Sequence, residues 1–139
     1  MKRIVSKPAR LAIASIATLV MASTALAQEA PTANKGFQTL KSEVIDLGPE
    51  IAGMEGRQLR LRLLQIEPGG HIGIHSHKDR PAVVYFLKGA STVHSGDGTS
   101  KVFKAGDTGS ANHATTHWHG NDGKEDVLFI AVDILNKKK

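Results

Sequence analysis

From Phe37 onward the apolar and polar residues alternate with a period of two, the signature of strands. Between Gln58 and Ile66, Leu59, Leu61 and Leu63 alternate with Arg60 and Arg62, which predicts a half-buried strand with the leucines as its apolar face. Pro68-Gly69-Gly70 ends it. Ala82 to Leu87 is a continuous apolar run between Pro81 and Gly89 and reads as a central strand. Ser91 to His94 and Lys101 to Phe103 flank Ser95-Gly96-Asp97-Gly98, a hairpin signal. Ala105-Gly106-Asp107 is a further turn, and Val127 to Leu135 is a last apolar strand with Asp133 inside it. No stretch after residue 36 has a helical period. Many short strands separated by turn residues predict an all-β sandwich or closed barrel.

The first thirty residues follow another logic. Lys2, Arg3, Lys7 and Arg10 precede any acid; Leu11 to Met21 is apolar except for Ser15 and Thr18; Ala25-Leu26-Ala27 follows. A basic start, a short apolar run and an A-x-A exit predict a secretory signal peptide over 1–27, cleaved before Gln28. A transmembrane anchor needs about 20 apolar residues, and Leu11 to Ala27 falls slightly short of that. The expected location is therefore periplasmic or secreted, with no membrane attachment after cleavage. Residues 28–36 contain Pro31 and read as a flexible arm, which leaves 37–136 as one domain.

Removing the leader changes the charge argument. The formal charge of the whole chain is +5, and four of its basic residues lie in the acid-free leader, so the mature part stands near +1. No basic stripe with interleaved aromatics remains, and nucleic acid is not an expected partner. The chain has no cysteine, so any metal must be held by imidazole and oxygen.

All seven histidines fall between His71 and His119. His75 and His77 sit two apart, as do His117 and His119. Residues two apart on a strand point to one side. Adjacent strands can bring such pairs together around one ion, and imidazoles suit Zn, Cu, Fe, Ni or Co better than Mg or Ca. The competing interpretation is ordinary hydrogen-bonding histidines at strand ends.

The spacing adds a family resemblance. Gly69 is followed after five residues by His75-Ser76-His77, after four more by position 82, and after six more by Gly89. Gly106 is followed after five residues by Asn112-His113-Ala114, after two by His117 and after three by Asn121. These two stretches, sixteen residues apart, resemble the two motifs of the cupins, and the resemblance extends from about Leu59 to Leu135. Three positions depart from the pattern: Ala82 replaces the motif glutamate, Asn112 a proline and Ala114 a glycine.

The resemblance implies a cupin-type jelly-roll β-barrel and a metal site. Of the family's four ligands, this chain keeps His75, His77 and His117, whereas Ala82 cannot ligate. His119, sharing the parity of His117, is a candidate extra ligand, and His71 shares the parity of His75. His71 and His113 otherwise read as loop surface and His94 as part of the hairpin. Tyr85 reads as core, Trp118 as facing away from the site, Asn121 as a turn residue, and Arg80 and Asp79 as a pair or as part of the entrance. The implied cofactor is a divalent transition metal (Fe, Mn, Ni, Cu or Zn). Without a carboxylate ligand the ion keeps its full charge and favours an anionic or oxygen-bearing small molecule. Three readings follow: a small metal-dependent enzyme, dioxygenase- or isomerase-like; a non-enzymatic ligand- or metal-binding module; and a structural barrel without metal. Proton transfer in the first would fall to water, Tyr85 or His119. Pairing into a homodimer is a further expectation from the family.

Overall fold

The computed structural model describes residues 29–137. The expected leader and its cleavage site lie outside the described residues, as do Lys138 and Lys139. Eight strands follow one another: β1 (Lys35–Asp46), β2 (Arg57–Ser76), β3 (Ala82–Lys88), β4 (Ala90–Ser95), β5 (Ser100–Lys104), β6 (Thr108–Ala111), β7 (Thr116–Gly120) and β8 (Val127–Asn136). No helix occurs among the described residues. The hairpin β4–β5, the apolar strand β3 and the last strand β8 stand where the turn residues place them.

The long strand β2 joins two antiparallel sheets. Its first half, Arg57 to Ile66, lies between β1 and β8. Its second half, His71 to Ser76, pairs with β7. The hydrogen-bonded order β5-β4-β7-β2-β8-β3-β6 then curls into a nearly closed barrel, the expected jelly roll. Pro68-Gly69-Gly70 does not end the strand. The chain changes partners there, with Gly69 at a φ of 70° that suits glycine alone.

Register fixes the contents of the barrel in layers. At the floor, Leu64 lies opposite Phe129, and Phe129 opposite Phe86. These side chains form the core with Ile66, Val127 and Ala131, and the Phe86 ring lies 5.3 Å from that of Phe103 and 5.2 Å from that of Phe129. Burying each large apolar side chain contributes about 1.5–3 kcal/mol before entropy is counted. One layer up, Arg62 pairs with Ala131 and Ala131 with Val84, which faces Gly109. Above these, Arg60 pairs with Asp133, Asp133 with Ala82 and Ala82 with Ala111. Alanine and glycine on three strands leave the upper barrel open as a cavity of about 580 Å³.

Two expectations are corrected by this register. The leucine face of β2 is the outer one: Leu61 is exposed, whereas Arg60 and Arg62 line the cavity. Period two tells which residues share a face; it does not tell which face is inside. Tyr85 likewise lies outside, 46% exposed beside Val83 and Leu87, because Val84 and Phe86 take the inward positions of β3.

A bulge sets the inner side of the second half of β2. Ile72 pairs with His119 and His75 with His117, so three residues of β2 span two of β7. Parity is broken there. Ile72 and His75 both face the cavity, and His71 is excluded from it. The backbone N–H groups freed at the bulge find partners in the segment read as a flexible arm. Ile74 N–H donates to the Pro31 carbonyl at 2.7 Å, and Gly73 N–H donates to Asn34 Oδ1 at 2.9 Å. A side chain at Gly73 would meet the Thr32 carbonyl at 2.9 Å, which explains the glycine.

Candidate metal centre

His75 is the penultimate residue of β2, His77 follows in the turn to β3, and His117 is carried by β7 directly across from His75. The turn is held by the His77 N–H on the Thr115 carbonyl and the Arg80 N–H on the His77 carbonyl. One donor atom from each of these three histidines lies within 4.8 Å of the other two. The Nε2 atom of His117 is 3.1 Å from that of His77 and 3.1 Å from that of His75. Two nitrogens about 2.1 Å from one ion stand about 3.0 Å apart at a right angle and about 3.4 Å apart at the tetrahedral angle. Both spacings to His117 fall between these limits.

Tautomers strengthen the case. His75 Nδ1 lies 2.9 Å from the Gly73 carbonyl and His77 Nδ1 lies 2.8 Å from the Arg80 carbonyl. A carbonyl accepts only, so each Nδ1 carries the proton and each Nε2 presents its lone pair. His117 can answer one of these lone pairs with an Nε2–H, never both. A cation between the three nitrogens satisfies them all.

Burial keeps the rings neutral. It pushes His75 and His77 below the ordinary imidazole value, against the opposing effect of their Nδ1–H bonds. His117 is pushed down to about 3, mainly by burial and then by the charges of His75 and His77. The lone pairs are therefore free at neutral pH. An unfolded His117 takes up a proton near 6.5, and the folded one refuses it until about 3. The unfolded state binds more protons in that window, so the metal-free protein loses stability as pH falls through it. Urea midpoints of chelator-treated protein, measured from about pH 7 down to about pH 4, are expected to decline steadily.

His119 lines the same cavity one layer deeper. It is buried and parallel to the Phe129 ring at 5.7 Å, its Nδ1 has no partner among the described residues, and it is outside the three-histidine group. His71 and His113 do not line the cavity. His94 stacks on Trp118 at 3.8 Å, which confirms that Trp118 faces away from the centre. Asn121 is a clamp: its Nδ2 donates to the Ile66 and Glu125 carbonyls, and its Oδ1 accepts from Gly123 N–H. Asp79 and Arg80 do not pair; Arg80 bonds Asp133 instead.

Ala82 lines the cavity, and the residue across from it is the carboxylate Asp133. That carboxylate is engaged by three arginines. Arg60 grips both its oxygens at 3.0 and 2.8 Å, and Arg62 and Arg80 each reach Oδ2 at 3.0 Å. Burial alone would raise the Asp133 pKa, but the Arg60 bond, the Arg62 charge and the Arg80 bond outweigh it and hold the group ionised. Sequence reasoning missed this cluster. Its signal was present as an acid inside an apolar strand and two arginines on one face of another.

Known proteins share this fold. The family model described as "Cupin domain" matches residues 62–133, more than half of the chain. The oxalate-binding protein of Thermotoga maritima is 32% identical over 72 residues, which cover 52% of this chain and 59% of that relative. An uncharacterised protein with a double-stranded β-helix domain from Klebsiella pneumoniae superposes with a TM-score of 0.52 at 24% identity, over 58% of this chain and 76% of that one. A predicted oxalate decarboxylase from Thermotoga maritima superposes with a TM-score of 0.50 at 23% identity, over 68% and 92%. With both motifs in register, the double-stranded barrel and the family match in hand, the chain belongs to the cupin family.

Proposed function

We propose that this protein is an exported, periplasmic metal-binding cupin that holds a divalent transition ion on His75, His77 and His117 and binds a small anionic molecule beside it. The observation that carries the reading is the convergence of three Nε2 atoms, two with tautomers fixed by backbone carbonyls. Such an ion would supply Lewis acidity toward an oxygen-bearing ligand. The chain's own contribution is orientation and charge. Among the described residues the cavity is lined by Arg60, Arg62, Arg80 and Lys101 and by no carboxylate. Similarity to an oxalate-binding protein supports a small carboxylate as the ligand.

The same lining favours binding over turnover. General acid–base work needs a positioned proton acceptor. Tyr85 is outside the barrel, position 82 is alanine and Asp133 is saturated by arginines. Of Tyr85, position 82, Asp133 and His119, only the buried His119 offers a free proton-carrying group on the cavity lining. The non-enzymatic binding module is therefore the preferred form of the proposal, and the metal-dependent enzyme is the second.

Cobalt substitution tests the reading. Co²⁺ added to the stripped protein should give visible absorption bands that shift when oxalate is added, with no consumption of oxalate. Bands indifferent to oxalate would count against ligand binding at the ion; loss of oxalate would favour the enzyme. Export is tested by the mass of the protein recovered from the periplasm, which should begin at Gln28.

A further inference from the structure

The upper cavity holds an unbalanced charge. Arg60, Arg62 and Arg80 all line it, and the carboxylate they share has no exposed surface. Three guanidiniums against one carboxylate leave an excess of two positive charges on one wall. Each arginine side chain is only 17–26% exposed, so water screens this excess poorly. Lys101 adds to it, and no acid among the described residues of the lining opposes it.

The donors are also unspent. A guanidinium carries five N–H groups in a fixed fork. Arg62 gives one to Asp133, and its buried Nε–H has no partner among the described residues. Arg80 likewise gives one. Asp133 shares the inward parity of Phe129 and Ala131 and lies covered by the three guanidiniums, which it anchors at the edge of the cavity. Clustered like charges of this kind cost stability unless an anion meets them, and a planar carboxylate matches a guanidinium fork.

The cluster adjoins the three histidines: the Arg80 carbonyl accepts the Nδ1–H of His77, so the chain that carries one arginine also orients one imidazole. We propose that Arg60, Arg62 and Arg80 form a carboxylate-binding subsite in the cavity that the three histidines also line, and that the ligand is a small dicarboxylate held at both ends. One carboxylate is met by the guanidiniums. The other is met at the histidine centre, and this half rests on the metal reading given above. The cavity of about 580 Å³ has room for a carbon link between the two, and Leu64, Phe86 and Phe129 provide an apolar floor beneath it.

The test uses malonate as the dicarboxylate and acetate as the monocarboxylate, with metal content measured on every sample. In ¹⁵N-arginine-labelled protein, malonate should move the Nε–H signal of Arg62. Titration should show acetate at least tenfold weaker than malonate, and Arg62→Gln at least tenfold weaker for malonate with its metal content unchanged and its fold retained by circular dichroism. An unmoved Arg62 signal, or wild-type malonate affinity in a folded Arg62→Gln, overturns the subsite. Equal affinity for acetate and malonate overturns the two-ended hold. Protein that takes up no metal after incubation with Fe, Mn, Ni, Cu and Zn, yet whose Arg62 signal still moves with malonate, upholds the guanidinium subsite and refutes the histidine-bound ion.

Discussion

Asp133→Asn is expected to destabilise the fold more than any other single polar substitution in the barrel. The native carboxylate has no exposed surface and accepts four hydrogen bonds from Arg60, Arg62 and Arg80. An amide is nearly the same size but removes the only negative charge facing three guanidiniums, and its NH₂ points donors at donors. Leaving buried charges unpaired costs about 3–5 kcal/mol. Partial exposure of the arginines puts the expectation at the lower end, about 3 kcal/mol, or a melting temperature lower by roughly 15 °C in a domain of this size. The pH dependence has a definite sign. The folded pKa of Asp133 is held below 3.8, so its stabilisation is complete above that value and fades as pH falls past the folded value. Urea unfolding of the two proteins at neutral pH measures the difference. Equal midpoints would mean that the cluster adds nothing.

His117→Ala should remove metal binding and leave the barrel folded. His117 is the ring whose Nε2 lies 3.1 Å from both other donors, so its loss removes both close contacts and leaves only His75 and His77. Structural sites with four ligands gain about 10–16 kcal/mol from their ion. A share of about 3 kcal/mol for one nitrogen corresponds to a loss of roughly 100-fold or more in affinity. The variant also removes an imidazole that burial holds at a pKa of about 3, so the folded metal-free protein should become less sensitive to acid. Competition with a chromophoric chelator reads the affinity, and circular dichroism reads the fold. Unchanged affinity would place the ion elsewhere, with His119 as the nearest alternative imidazole.

The fold was largely legible because turn residues and period two are local signals. β3, the β4–β5 hairpin and β8 follow from Pro81, Gly89, the Ser95 to Gly98 turn and the last apolar run. The three histidines were legible through two spaced motifs whose register the barrel preserves. What failed was the choice of face. Arg60 and Arg62 alternate with leucines just as solvent-facing residues do, and only the pairing of Arg60 with Asp133 across the sheet shows that they point inward. His71 shares parity with His75 in sequence, but the bulge between Ile72 and His75 is a tertiary feature held by Pro31 and Asn34. Tyr85 followed from hydrophobicity, which is blind to an outer sheet face as apolar as the inner one.

The central claim is that three neutral imidazoles in this barrel hold one ion. It is tested most directly by the metal content of the protein purified without an affinity tag, beside the His75→Ala/His117→Ala double variant. The account predicts close to one transition-metal ion per chain in the first and none in the second. No metal in either, even after incubation with Fe, Mn, Ni, Cu and Zn, would contradict it.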